Sequence, residues 1–163
     1  MDLTEIELPG SDATGADFKS VCLDGARLRK CTLTSARLTE AWLRKADLDY
    51  AHLQSAWLDR CHAFRMSAIG ADLTSAHLVD ADLRRALLAG ATLDDADLTG
   101  SDMDYAVLDE ASVIGSSLHG VRGAVRADSL RIEPNVWVRD ADLRIWWSTR
   151  TGGGSSVVPT TVR

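Results

Sequence analysis

A chain of 163 residues is one domain's worth of sequence and is long enough for a continuous core. Its formal net charge of −6 does not provide the basic surface that non-specific nucleic-acid binding needs, so no direct nucleic-acid contact is expected. No apolar run approaches the roughly 20 residues of a membrane span, and the acidic start MDLTEIELPG lacks the basic and apolar regions of a signal peptide, so a cytoplasmic protein away from membranes is expected.

Residues 16–120 form an unbroken run of five-residue units: ADFKS, VCLDG, ARLRK, CTLTS, and so on to SSLHG. The first residue of each unit is Ala, Ser or Cys in all but two of 21 cases, the exceptions being Val21 and Met66. The third is Leu, Phe, Met or Val everywhere except Ala63 and Ala68. A helix drifts through a five-residue register and a flat strand wants period two, so neither regular element explains the pattern. A fixed short period means a repeat architecture. Two residues in five point inward and three outward, and the chain must turn a corner in every unit. Residues 1–15 keep the phase weakly, through Leu3, Ile6, Leu8 and Ala13, and read as a degenerate first coil and N-terminal cap with corners at Pro9-Gly10 and Gly15.

The middle breaks the rule in CHAFR and MSAIG, where two centres shrink to Ala63 and Ala68 while the corner between them grows to Met66. Either Met66 fills the volume that two missing Leu side chains leave, or a local bulge turns Phe64 or Ile69 inward. After Gly120 the pattern stops. Residues 121–150 hold three of the five Trp, and Ala141-Asp142-Leu143 echoes one more unit. An open solenoid end exposes its apolar cross-section, so this segment is expected to cap the rod. Its aromatic content exceeds what capping needs, which makes Trp137, Val138, Ile145, Trp146 and Trp147 candidates for a homodimer interface as well. TGGGSSVVPTTVR, 151–163, reads as a flexible tail.

Units of the form A-[DN]-L-x-x resemble the pentapeptide-repeat family over 16–120 strongly and over 1–15 weakly. The resemblance implies an all-β, right-handed quadrilateral β-helix, with four units to a coil. About six coils at about 4.8 Å each would make a rod of roughly 29 Å, closed by the C-terminal aromatic cap. It also implies a function class, because the quinolone-resistance branch of the family interacts with DNA gyrase as a DNA mimic, and a C-terminal module mediates dimerisation there. No loop of the kind some members use to contact gyrase is inserted between the coils.

With about 20 residues to a coil, residues that far apart stack in columns. One column holds Lys45, Arg65 and Arg85, flanked by Arg44 and Arg84, with Trp42, His62 and Phe64 beside it. Like charges stacked this closely do not serve stability, so the column reads as a site for an acidic partner, or else as a solvated face. Charge also divides along the rod. Residues 16–65 carry nine Lys or Arg against six acids, and 66–120 carry two against ten. The ten are Asp72, Asp80, Asp82, Asp94, Asp95, Asp97, Asp102, Asp104, Asp109 and Glu110. Eight net charges over about 13 Å approach the linear charge density of duplex DNA, roughly one per 1.7 Å. Asp after the small residue is also the ordinary surface residue of such repeats.

Chemistry is weakly represented. His52, His62, His77 and His119 all fall in outward slots, and Trp42–His62–Asp82 and Trp57–His77–Asp97 stack as columns. A convex face offers no water-excluded pocket for acid–base work. Cys31 and Cys61 sit in inward small-residue slots and Cys22 in an outward one, with no metal-ligand spacing, so neither metal nor cofactor is expected. Three readings follow. The first is a non-enzymatic DNA mimic that binds DNA gyrase or another topoisomerase and gives resistance to quinolones or a related toxin. The second is a protein–protein scaffold or regulator using the basic–aromatic face. The third and weakest is an enzyme with an outward His–Asp column.

Overall fold

The structure, a computed structural model, describes residues 1–152 and 155–158. The second residue of each unit bridges in parallel to the residue 20 positions on, from Asp2↔Cys22 to Asp102↔Arg122, and Val107↔Arg126 closes the series one residue short. The rod is therefore a β-helix with one rung per unit and 20 residues per coil. Residues 1–15 already take this regular form, with bridges at Asp2, Glu7 and Asp12.

Corners are β-turns. The carbonyl of each third residue accepts the N–H of the next unit's first residue, as in Ala26 N–H to Leu23 O at 3.0 Å. The fifth residue sits at the corner tip in the left-handed region, with φ between 53° and 60° at sixteen non-glycine residues that include Lys45, Arg65 and Arg85. That conformation costs an L-residue roughly 1 kcal/mol, and the stacked coils hold it in place. Gly25 N–H, at one such tip, donates to Arg44 O at 2.8 Å in the next coil; Leu23 N–H reaches Trp42 O at 2.7 Å, and Trp42 N–H returns to Val21 O at 3.0 Å.

From Val21 onward the first and third residues of the units are buried almost without exception and form one continuous apolar core. The irregularity at Ala63–Ala68 resolves as volume exchange. Met66, Ala63 and Ala68 are all buried, the phase is unbroken, and Phe64 and Ile69 stay in outward slots.

Beyond the rod, β1 (Ala111–Ser112) pairs in parallel with β3 (Ser129–Glu133), which pairs antiparallel with β4 (Val136–Arg139) through a bulge between Arg131 and Glu133. β2 (Gly123–Arg126) pairs in parallel with β5 (Ser155–Val158). Between β4 and β5 lies α1 (Asp140–Thr151), which ends at Gly152 in the left-handed conformation with φ 80°.

Two expectations are corrected here. The chain is not all-β, because Ala141-Asp142-Leu143 opens a helix instead of repeating a unit. Leu143 and Trp147, four residues apart on one helix face, are both buried and join Leu130 in the core of the rod, a spacing that a five-residue corner cannot supply. Nor is 151–163 a loose tail throughout, because Ser155–Val158 supplies β2 with a partner strand. Thr151 and Gly152 close α1, and residues 153, 154 and 159–163 lie outside those described.

Candidate partner-binding surfaces

The ladder between coils has a surplus donor, the N–H of each unit's fourth residue, and aspartate supplies its acceptor in two ways. From the second position an Asp accepts the N–H two residues ahead, as Asp72 does from Thr74 at 3.0 Å, Asp97 from Thr99 at 3.0 Å and Asp102 from Asp104 at 3.1 Å. From the fourth position it reaches the next coil, as Asp49 does to Ile69 N–H at 3.0 Å, Asp94 to Ile114 at 3.0 Å and Asp104 to Ala124 at 3.1 Å. Asp109 accepts from Asp128 N–H at 2.6 Å in the same manner. Of the ten acids of residues 66–120, Asp94, Asp104 and Asp109 therefore tie one coil to the next, and Asp72, Asp82, Asp97 and Asp102 brace their own units, as well as charging the surface. Asp80, Asp95 and Glu110 instead occupy corner tips. Gly100 lies beneath Asp80 and Gly115 beneath Asp95, and a Cβ at either glycine would collide with the carboxylate above it.

Three of these carboxylates, Asp72, Asp82 and Asp97, are held in the ionised form. Hydrogen bonds from Arg84 keep Asp82 below the ordinary carboxylate range, with its partial burial opposing them, and the neighbouring His62 adds a smaller pull. Hydrogen bonding from Thr99 does the same for Asp97, aided by His77. Burial pushes Asp72 upward, but hydrogen bonds from Thr74 and Gln54 outweigh it, and the net shift is down.

The basic–aromatic residues lie on one face and its adjoining corner. Arg44 pairs with Asp24 (Nε to Oδ2 2.8 Å), and Arg84 forks onto Asp82 with both bonds at 2.7 Å. Phe64 stands between them in the column and takes the Arg65 and Arg84 guanidinium groups at 5.3 and 5.8 Å from its centroid. Arg44 lies 5.1 Å from the Trp42 ring and Arg85 5.9 Å from that of Tyr105. The Lys45, Arg65 and Arg85 column runs along the corner tips, with Arg44 and Arg84 flanking it. Arg44 and Arg84 are neutralised, whereas Lys45, Arg65 and Arg85 at the corner tips form no ion pair among the described residues.

The Trp42 and His62 rings lie 4.3 Å apart, and those of Trp57 and His77 stack at 4.1 Å, within 8° of parallel. Three of the four His are followed by Asp in the next coil, His62 by Asp82, His77 by Asp97, and His52 by Asp72 in a third column. Cys61 is fully enclosed, and burial pushes its thiol up to about 12, so it serves as a small apolar side chain. Among the described residues no group of three His, Cys, Asp or Glu is placed to hold a metal, and no helix is long and apolar enough to cross a membrane.

One surface escaped the sequence reading. Leu87, 40% exposed, stacks over Val107 on the face between the Arg65/Arg85 corner and the Gly70/Gly90 corner, with Ile69 and Ala89 alongside, all in outward slots. Its signal was present, since Leu87 and Val107 hold second positions where neighbouring units carry Asp, Ser, Thr or His. At the C-terminal end, Trp147 is fully buried in the core, Trp146 and Val138 pack partly against it, and Val136 and Trp137 on the edge strand β4 remain exposed. The side chain of Ile145 lies outside the described residues.

A family model described as pentapeptide repeats matches residues 2–35, 26–62 and 69–104, with eight copies. Among solved structures, a trypsin-treated form of QnrB1, a plasmid-mediated fluoroquinolone resistance protein, superimposes with a TM-score of 0.71 at 16% identity, over 77% of this chain and 67% of that one. HetL, a pentapeptide repeat protein involved in heterocyst differentiation regulation in the cyanobacterium Nostoc, aligns at 26% identity over 82% of this chain and 73% of its own, with a TM-score of 0.40. A pentapeptide repeat protein of the Arabidopsis thaliana thylakoid lumen aligns at 22% identity over 90% and 77%, with a TM-score of 0.32. No curated protein matches the sequence.

Proposed function

The chain belongs to the pentapeptide-repeat family, whose members form right-handed β-helices, and from that premise we propose that it is a non-enzymatic, protein-binding rod. Its acidic half would stand in for duplex DNA in the binding groove of a type II topoisomerase such as DNA gyrase, giving resistance to quinolones or a related toxin. The observation that carries this reading is the set of backbone-anchored carboxylates between residues 66 and 120. Asp72, Asp82, Asp94, Asp97, Asp102 and Asp104 are each fixed by a backbone N–H. A net charge of −8 held rigidly at the coil spacing resembles a phosphate backbone more closely than a mobile acidic tail does. The basic N-terminal half, nine cations against six acids over residues 16–65, limits the mimicry to the distal part of the rod.

Gyrase is the partner that the resemblance to the quinolone-resistance branch implies, and QnrB1 itself is a fluoroquinolone resistance protein. Self-association through the C-terminal end belongs to the same reading. Edge strand β4 presents Val136 at 41% and Trp137 at 45% exposure, with a strand side that is unpaired among the described residues. The test is a gyrase supercoiling assay with and without fluoroquinolone. The expected result is inhibition or drug protection at micromolar protein; neither effect at that concentration would sink the proposal. A monomeric mass by light scattering at micromolar concentration would refute the self-association part alone.

A further inference from the structure

Of the four faces of the rod, the one centred on residues 67, 87 and 107 is distinct. In the half of the chain where the other faces carry Asp82, Asp102, Asp94 and Asp97, its outward slots carry Leu87, Val107, Ile69 and Ala89, with Ser67 at one end and the single acid Asp109 at the other. A single exposed Leu requires no explanation, but Leu87 stacked on Val107, with two further aliphatic residues alongside, makes a stripe. Its two borders differ. Along one corner stand Arg65 and Arg85, which have no carboxylate partner among the described residues and are oriented only by the rings of Phe64 and Tyr105. Along the other run Gly70, covered by the exposed Tyr50 ring, then Gly90, with nothing over its backbone, and then the exposed acid Glu110.

We infer that this face docks an amphipathic helix of a protein partner, laid parallel to the rod axis, with aliphatic side chains on Leu87 and Val107 and a row of carboxylates along the Arg65/Arg85 border. The spacing suits a helix in that direction, because its pitch of about 5.4 Å nearly matches the roughly 4.8 Å between stacked rungs, so successive turns meet successive coils. Charge fixes which way the helix faces. Carboxylates fit beside Arg65 and Arg85 and are repelled at the Glu110 border, so a helix acidic on both flanks is disfavoured. Gly90 lets the helix backbone approach closely, and the Tyr50 ring bounds the contact at Gly70. Of the ten acids only Asp109 and Glu110 lie on this face or its border, and its occupancy does not depend on topoisomerase binding.

The probe is a fluorescein-labelled synthetic helix with Leu at i, i+4 and i+7 and Glu along one flank, titrated with the full chain and read by fluorescence anisotropy. Saturable binding is expected, weakened about tenfold or more by Leu87→Glu, as for a central anchor in an interface. Arg65→Ala with Arg85→Ala should weaken it several-fold, and so should Lys in place of Glu in the peptide. Because Leu87 points outward, the Leu87→Glu variant should melt like the wild type by circular dichroism. If it does not, Val107→Thr takes its place in the titration. The proposal is overturned by an absence of saturable binding, by equal binding of the aliphatic-face variants, or by equal binding of the Lys peptide. Anionic vesicles or a duplex oligonucleotide binding with the same dependence on Leu87 would overturn it too.

Discussion

The buried exchange at Met66 is the place where the packing account is most exposed to test. Leu and Met carry the same number of non-hydrogen side-chain atoms, and in this part of the rod Met66 stands inward between two centres that have lost their Leu. Met66→Ala removes that filling and should cost about 2–5 kcal/mol, since the rungs on either side are pinned by bonds such as Met66 N–H to Ala63 O at 3.0 Å and cannot collapse. Ala68→Leu alone adds a Leu beside a Met that already occupies the space, and should cost roughly 1–3 kcal/mol by overpacking. Together the two changes restore the Ala–Leu pattern of the other units, so the double variant should be more stable than the sum of the singles implies, by roughly 1–3 kcal/mol of coupling. Urea unfolding monitored by far-ultraviolet circular dichroism, with m held constant across the four proteins, gives the cycle. Additivity within about 0.5 kcal/mol would refute the idea that Met66 and the two alanines share one volume.

Three further outcomes follow from the backbone accounting. Asp49→Ala leaves the Ile69 N–H and the Ser67 hydroxyl without their acceptor and Arg29 with Asp47 as its remaining partner, and should cost about 1–3 kcal/mol by chemical denaturation, whereas Asp49→Asn, which keeps one oxygen, should cost less. Asp82 and Asp97 have folded values below 3.8, so the stability they contribute is present above pH 3.8 and lost as pH falls through their lower folded values. Asp82→Asn and Asp97→Asn should therefore flatten the acid limb of a stability–pH profile and leave its neutral part parallel to wild type; an unchanged acid limb would contradict the assignment. Gly123→Ala would drive a Cβ into the backbone of Asp104 at φ 94°, where nothing can give way. Hydrogen exchange should then rise across β2 and β5 while the coils around Leu48 stay protected.

How much of this could be read from the residues depends on whether the determining contact has a period. The coils from Ala16 to Gly120 were legible because every unit repeats the same inward pair, and Met66 was legible as a volume exchange because the two changes adjoin it. α1 was hidden by a local echo, since Ala141-Asp142-Leu143 fits a unit, and only the burial of Leu143 and Trp147 on one helix face shows which period applies. The pairing of β2 with β5 joins segments some 30 residues apart with no repeat between them, which leaves no pattern to read. The acids were legible as a count but not in their duty, because the surplus N–H that Asp94 or Asp104 serves exists only once two coils are stacked. The aliphatic stripe at Leu87 and Val107 stood in plain view in the second slot of its units, but the surrounding carboxylates gave the stronger contrast.

The central claim is that the distal carboxylates occupy a duplex-binding groove, and displacement tests it most directly. Fluorescent duplex DNA bound to gyrase is titrated with the wild-type chain and with the variant Asp80→Asn/Asp95→Asn/Glu110→Gln, which neutralises the three tip acids and spares those that bond the coils. The account predicts that the wild type releases the duplex, less effectively as salt rises, and that the variant needs several-fold more protein while melting like the wild type. Failure of the wild type to displace the duplex, or equal displacement by the variant, would contradict it.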